Sequence, residues 1–100
     1  MDSFPVRLRR KAISDISRIR VWYRKIDPSL ENRFVRSLNE GLDRIEAHPF
    51  GYQAVYRNTR RVLLDKFPYS VYYLIRDESV IVLAVLHHKR NPELAQSISE

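Results

Sequence analysis

The dipeptide Asp27-Pro28, with an apolar stripe of helical spacing on either side, most restricts the fold of this chain. Aspartate accepts a hydrogen bond from a free N–H group in the first turn of a helix, and proline is tolerated at the first helical position. The two stripes recur every three or four residues: Ala12, Ile16, Ile19, Tyr23 and Ile26, then Leu30, Phe34, Leu38, Leu42 and Ile45. The sequence therefore predicts two helices, joined by a very short connection and packed as an antiparallel hairpin.

Alternating apolar positions flank this helical region. Phe4, Val6 and Leu8 are spaced by two residues, which predicts a short first strand. Pro49 disfavours helical geometry at the residue before it, so we expect the second helix to end by His48. Beyond Phe50-Gly51 we expect a short strand or extended loop at Tyr52–Tyr56, a turn at Asn58-Thr59, and strands at Arg61–Phe67, Tyr69–Arg76 and Ser79–His87.

The last predicted strand is apolar on both faces from Val80 to Leu86, so we expect it to lie inside a sheet. Asp77-Glu78 is predicted to form a two-residue turn before it, and Pro92–Ser99 to form one or two helical turns after it. One hundred residues fit a single domain, 1–100. The order β-α-α-β-β-β predicts an α+β domain with both helices on one face of the sheet.

The chain is basic, and its positive charge is unevenly distributed. Lysine and arginine number 18 against 12 acidic residues, a net charge of +6, and the segment from Arg7 to Lys25 contains a single acid, Asp15. A surface of this kind favours a polyanion or an acidic protein partner. The sequence contains no cysteine, which excludes disulfides and thiolate metal sites.

We expect a soluble protein of the cytoplasm, without a membrane partner. The N-terminal residues contain no apolar segment of the kind that directs secretion. The longest apolar run, Val80–Leu86, is far shorter than the about 20 residues that a membrane-spanning helix needs.

A cluster of imidazole and cationic groups, His87-His88-Lys89-Arg90, follows the last strand. Strand geometry sends His87 and His88 to opposite faces, and no third histidine lies at ligand spacing, so we predict neither a metal site nor a cofactor. The cluster is either the solvated end of a strand or a site that binds phosphate or transfers a proton near neutral pH. Arg60 and Arg61 would add positive charge to it if their strand neighboured the last one.

Trp22 lies off the main stripe of the first helix, beside Arg18 and Lys25. It either covers the seam between helix and sheet or belongs to a partner interface, where tryptophan is enriched. The acids are scattered, and we find no glycine-rich phosphate loop, nucleophile elbow or carboxylate pair that would indicate hydrolase chemistry.

Several segments occur in a characteristic order: a basic first strand, DISRIRVWY in the helix hairpin, the break HPFGY, then RRVLLDKFPYSVYYLI and VIVLAVLHHKRNPE. Between Phe4 and Glu93 this order resembles the ParE/RelE superfamily, the toxins of bacterial type II toxin–antitoxin pairs, often called plasmid stabilisation proteins. The resemblance implies a RelE/ParE-like fold, with a two-helix hairpin packed on an antiparallel-rich sheet.

The superfamily has two activities on one fold, so the fold alone does not give the function. RelE-like members cleave mRNA in the ribosome with Arg, Lys and often a late Tyr or His around the scissile phosphate, whereas ParE-like members poison DNA gyrase. RelE-like strands that match YSVYY typically carry an arginine after the first tyrosine, where this chain has Ser70, and no tyrosine follows Tyr73. The segments FPYSVYY and LHHKRNP are closer to ParE, which favours a gyrase poison.

The resemblance also implies partners. We expect a ParD-like antitoxin whose acidic, amphipathic C-terminal segment contacts the basic hairpin at Arg18, Trp22 and Tyr23. The expected contacts to the cellular target, DNA gyrase, are Arg60, Arg61, His87, His88, Lys89 and Arg90. Two alternatives remain: a metal-independent endoribonuclease that cleaves mRNA on the ribosome through Arg61, His87 and Arg90, and a degenerate toxin that only binds its antitoxin.

Overall fold

A computed structural model describes residues 4–87 of the chain. Within this range, two helices and five strands follow one another: β1 (Val6–Leu8), α1 (Arg10–Ile26), α2 (Pro28–Ala47), β2 (Ala54–Tyr56), β3 (Thr59–Leu63), β4 (Tyr69–Arg76) and β5 (Ser79–His87). The α+β class and the helix hairpin predicted from the sequence are confirmed, and the region that was either strand or loop contains the short strand β2.

The two helices form the predicted hairpin, connected by the single residue Asp27. The carboxylate of Asp27 accepts a hydrogen bond of 2.9 Å from the backbone N–H of Ser29, and Pro28 is the first residue of α2. This cap holds the pKa of Asp27 below its usual value. The second helix ends at Ala47, as expected from Pro49.

All five strands form one sheet in the order β1-β5-β4-β3-β2. β1 pairs in parallel with β5, with Val6 opposite Val80 and Leu8 opposite Val82, and the other three pairings are antiparallel. β5 therefore lies between β1 and β4, which confirms the interior position expected from its two apolar faces.

The core lies between the helices and one face of the sheet. Alternation along β4 directs Tyr69, Val71 and Tyr73 toward the helices, and Tyr72 toward the opposite face, where it packs with Ala84. The helix-facing side thus carries most of the buried apolar side chains.

An aromatic cluster joins the hairpin to the sheet at one end of this core. Tyr23 of α1 and Phe34 of α2 meet Phe67 and Tyr69, and the ring centroids of the contacting pairs are 5.2–6.4 Å apart. Most of these pairs are edge-to-face, an arrangement that contributes attraction beyond the burial of apolar area.

The bounds of β3 differ from the prediction of Arg61–Phe67, since the strand runs from Thr59 to Leu63. The turn before it lies at Arg57-Asn58, with Arg57 at a φ of 51°, one residue earlier than expected. Residues 64–68 form a loop, because Lys66 adopts a φ of 69° and Pro68 has no N–H to donate to a ladder.

α1 begins at Arg10, before the first stripe residue Ala12, and its N-cap residue Arg9 makes no side-chain cap hydrogen bond. The sequence therefore contains no capping signal for the start of this helix. The helical turns predicted at Pro92–Ser99 lie outside the described residues.

A β-bulge interrupts the pairing of β4 with β5. Tyr72 is opposite Ala84, whereas Tyr73 is opposite Val82, so Leu83 is an extra residue in β5.

Between residues 4 and 87, neither helix is both long enough and apolar enough to cross a membrane.

Candidate functional site

His87 lies at the end of β5 on the helix-facing side of the sheet. Its imidazole packs edge-on against the ring of Tyr69, with the two centroids 5.4 Å apart. Tyr69 belongs to the aromatic cluster, so His87 packs against the part of the core that lies between the sheet and the helix hairpin. His87 as a whole is half-buried.

Arg61 does not share a site with His87. Their strands are separated by β4, and the register places Arg61 opposite Tyr72 and Tyr72 opposite Ala84, three residues before His87. Two strand spacings across the sheet and three residues along it put the two backbones roughly 14 Å apart. Arg61 also shares the face of Tyr72, away from the helices. Arg61 was expected to add positive charge near His87 only if their strands were neighbours, and β3 and β5 are not neighbours.

Arg60 faces the opposite way from Arg61 and holds the HPFGY segment. Its guanidinium donates a 2.5 Å hydrogen bond to the carbonyl of Tyr52 and lies 5.5 Å from the ring centroid of Phe50. Arg60 is thus engaged in the fold of this loop, and Arg61 is the exposed member of the pair.

The remaining expected target contacts, His88, Lys89 and Arg90, lie outside the described residues. The structure therefore places Arg60, Arg61 and His87 only. Among residues 4–87, no group of three His, Asp or Glu side chains could hold a metal ion.

The outward side of α1, here called the α1 surface, combines apolar and basic side chains. Ile13, 54% exposed, lies on one flank of this side, and Trp22 and Ile26, 57% and 59% exposed, lie on the other, because a helical turn takes 3.6 residues. A shallow groove runs along the same helix, lined by Arg10, Ile13, Ser14, Ser17, Arg18 and Val21. Of the three expected antitoxin contacts, Arg18 and Trp22 lie on this surface, whereas Tyr23 is half-buried in the aromatic cluster and supports it from beneath.

Asp15, the only acid of α1, is 2% exposed. Its carboxylate accepts hydrogen bonds from the ammonium of Lys11 at 3.0 Å, from the guanidinium of Arg18 at 2.7 Å and from the backbone N–H of Val85 at 3.0 Å. The sequence marks Asp15 only as an exception in a basic segment. Its partner in β5 is 70 residues away, so no local pattern could reveal this contact.

Glu31 links the two helices through a second network. It is 8% exposed and accepts hydrogen bonds from Arg24 at 2.7 and 2.8 Å and from Arg20 at 2.9 Å. The hydrogen bonds from Arg24, followed by the one from Arg20, lower the pKa of Glu31 from 4.5 to about 2. Each buried carboxylate is thus held by two cations, which leaves a net positive charge on α1 at both networks.

Comparisons with known proteins agree with this architecture. The family described as "ParE toxin of type II toxin-antitoxin system, parDE" matches residues 6–92 of the sequence. The match spans most of the chain, so the protein belongs to this family and is a ParE-type toxin of a type II toxin–antitoxin system.

A similarity among solved structures concerns the fold alone. A chain of the structure titled "Chromosomal ParDE TA system from P. aeruginosa" is similar with a TM-score of 0.75, over 85% of this chain and 96% of that chain, at 17% sequence identity. The RelE/ParE-like fold expected from the resemblance is therefore confirmed. Among curated proteins, none matches the sequence.

Proposed function

We propose that this toxin acts in the cytoplasm by binding and inhibiting DNA gyrase, and that a ParD-like antitoxin neutralises it. The observation that carries the proposal is the separation of Arg61 from His87, on opposite faces of the sheet and roughly 14 Å apart. A phosphoryl-transfer site needs its cations and its acid or base around one phosphate, within hydrogen-bond reach. These two groups do not converge, whereas a surface that binds a protein does not require them to.

The environment of Ser70 supports the same conclusion. In RelE-like ribonucleases the resemblance implies an arginine at this position, but here the hydroxyl is fully buried, opposite Leu86 in the sheet. A buried neutral side chain supplies no fixed positive charge. Loss of one charge-stabilising donor costs about 2.7–4 kcal/mol of transition-state stabilisation.

We assign the target contact to the end of the sheet at His87 and to the residues that follow it. His87 lies on a strand backed by the aromatic cluster, and a strand holds a contact residue more rigidly than a loop does. His88, Lys89 and Arg90 follow it in the sequence and add basic groups, and Arg61 adds exposed charge on the other face of the sheet. Arg60 acts by holding the loop beside it.

We assign the antitoxin contact to the α1 surface. Exposed tryptophan is typical of residues that dominate a protein interface once it is buried. Arg10, Arg18 and Lys25 lie between the two apolar flanks of this surface, so its charge is complementary to an acidic, amphipathic segment. A second copy of the same basic surface would be repelled, which favours an acidic partner over self-association.

A paired assay on the isolated toxin tests the target. The protein should inhibit supercoiling by gyrase and leave mRNA intact on ribosomes. His87→Ala should retain most of the toxicity, whereas a ribonuclease that used His87 as acid or base would lose roughly 10²–10⁴-fold in cleavage. Arg90→Glu should weaken gyrase inhibition more than His87→Ala does.

The two alternative functions, a ribonuclease and a degenerate toxin, predict different results when the protein is induced in the same cells. If induction causes mRNA decay with normal supercoiling, and His87→Ala abolishes it, the toxin is a ribonuclease. If induction causes no growth arrest although the antitoxin binds, the degenerate reading is correct. In either case the gyrase proposal fails.

Calorimetric titration with a ParD-like antitoxin that neutralises this toxin tests the α1 surface. Trp22→Ala should weaken binding about 30-fold, the equivalent of a hot-spot residue worth about 2 kcal/mol. Val55→Ala is a matched control, because Val55 is an exposed apolar residue on β2, away from α1. Equal losses for both variants, or none for Trp22→Ala, would place the antitoxin elsewhere.

A further inference from the structure

The β-bulge in β5 decides which face of the sheet carries His87. Side chains alternate along a regular strand, so Val82 and His87, an odd number of residues apart, would otherwise lie on opposite faces. Leu83 is the extra residue, and it brings Val85 onto the same helix-facing side as Val82. His87 follows on that side and reaches Tyr69.

The bulge occurs where β5 loses its neighbour on one side. β1 ends at Leu8, opposite Val82, and in the described part of the chain no strand continues beside the rest of β5 on that side. The carbonyl of Val82 still accepts a 2.9 Å hydrogen bond from the N–H of Arg9. Beyond the bulge the N–H of Val85 points to the same side, and no strand among residues 4–87 offers it a carbonyl there.

Asp15 supplies the missing acceptor. Its Oδ2 atom accepts the N–H of Val85 at 3.0 Å, while Lys11 and Arg18 hold the carboxylate at 3.0 and 2.7 Å. α1 follows β1 after a single residue, so its second turn carries Asp15 over the bulge. The arrangement satisfies a buried charge and a backbone donor together, either of which would be costly to leave unpaired.

We propose that Asp15 is a positioning residue for the target-binding end of the toxin. By taking the place of a strand beside Val85, it fixes the bulge, and the bulge fixes His87 on the helix-facing side. A register without the bulge would put Leu86 opposite Tyr69 and turn His87 away. The link to toxicity rests on the proposed target contact, whereas the structural part does not depend on what the target is.

NMR spectroscopy of the full chain tests the structural part. Asp15→Ala should speed hydrogen exchange at the Val85 amide about ten- to a hundredfold, because a hydrogen bond to a charged acceptor is lost. It should also weaken the ring-to-ring NOE between His87 and Tyr69. Asp15→Asn keeps an oxygen acceptor in the same place and should retain both signals. Loss of the bulge shifts the whole end of β5 by one residue, whereas His87→Ala removes only one side chain from it. Growth arrest on induction should therefore follow the NOE in the two Asp15 variants, although His87→Ala retains most of the toxicity.

Ile19→Ala is the matched control, since Ile19 is a buried core residue of the same helix with no part in the Asp15 network. It should lower the melting temperature and leave the His87–Tyr69 NOE in place. The proposal is overturned if Asp15→Ala keeps the NOE and slow Val85 exchange, or if Asp15→Asn loses them equally. It is also overturned if Asp15→Ala loses the NOE and stays fully toxic.

Should Asp15→Ala fail to fold, the wild-type protein still decides. A Val85 amide that exchanges as slowly as that of Val71, inside the sheet, supports the proposal. Exchange as fast as at a solvated strand edge refutes it. No gyrase enters these measurements, so a failed gyrase assay and a failed positioning role are distinguishable.

Discussion

The hydroxyl of Tyr73 ties the centre of the sheet to the loop after α2, and Tyr73→Phe removes only this tie. Tyr73 is fully buried, and its hydroxyl donates a 2.7 Å hydrogen bond to the carbonyl of Pro49. A neutral hydrogen bond contributes about 0.5–1.5 kcal/mol net, and water can reach the half-buried Pro49 once the donor is gone. We therefore expect a loss of about 1 kcal/mol at pH 7, or about 4–8 °C in melting temperature.

The same substitution should change the response to alkali. Burial raises the pKa of Tyr73 to about 12, against an ordinary value of 10.0, because the folded protein favours the neutral phenol. The stability that this phenol contributes is complete below pH 10 and is lost as the pH rises toward 12. Phenylalanine has no such proton, so the difference in free energy of unfolding between the wild type and Tyr73→Phe should become smaller between pH 10 and 12.

Urea denaturation at pH 7 and at pH 11 measures both effects. Tyr56→Phe is the matched control: Tyr56 is a half-buried residue of β2, and its ring contact with Arg57 needs no hydroxyl. It should change stability by less than about 0.5 kcal/mol at either pH. Equal stability of Tyr73→Phe and wild type at pH 7, or a gap that widens with pH, would refute the reasoning.

Two further predictions concern the hairpin and the β4–β5 turn. The carboxylate of Glu31 stabilises the fold fully above pH 4.5, and this stabilisation is lost as the pH falls toward the folded pKa of about 2. Glu31→Gln should therefore have a lower free energy of unfolding at pH 7, and that free energy should depend less on pH between 4.5 and about 2. Parallel acid-unfolding profiles for the two proteins would contradict this prediction. Glu78 has a φ of 58°, a conformation that favours glycine, so Glu78→Gly should raise the free energy of unfolding by about 1 kcal/mol in urea titrations. A free energy of unfolding below that of the wild type would show that the Glu78 side chain stabilises the turn.

Local patterns were sufficient for most of the architecture. The Asp27-Pro28 signal and the two stripes gave the hairpin, because caps and helical periodicity act over a few residues. The Asp77-Glu78 turn and the strands on either side of it were predicted with the bounds that the structure shows. β3 was placed too late, because apolar residues continue through Leu64 and Phe67, and only the backbone at Lys66 and Pro68 ends the strand.

Contacts between distant segments were not accessible in this way. The sequence marked Arg60 and Arg61 as a basic pair that would add charge near His87 if their strand neighboured the last one, but only the sheet order shows that β4 separates them from His87. The bulge at Leu83 shifts the register by one residue, and its partner Asp15 lies in a different layer. For the candidate site, the candidate residues could therefore be named from the sequence, but which of their side chains lie close together depends on the order and register of the strands.

The parallel pairing of β1 with β5 also sets the timing of folding during synthesis. Val6 pairs with Val80, and among residues 4–87 the only strand beside β1 is β5, so β1 cannot pair with it until residues 79–87 have been made. At about 5–20 residues per second, this wait lasts roughly 4–15 s, while the hairpin can already form from local contacts. A nascent chain thus lacks the His87 end of the sheet until late in its synthesis. The brevity of β1 and the charge of Arg7 protect its open edge from pairing with other chains in the meantime.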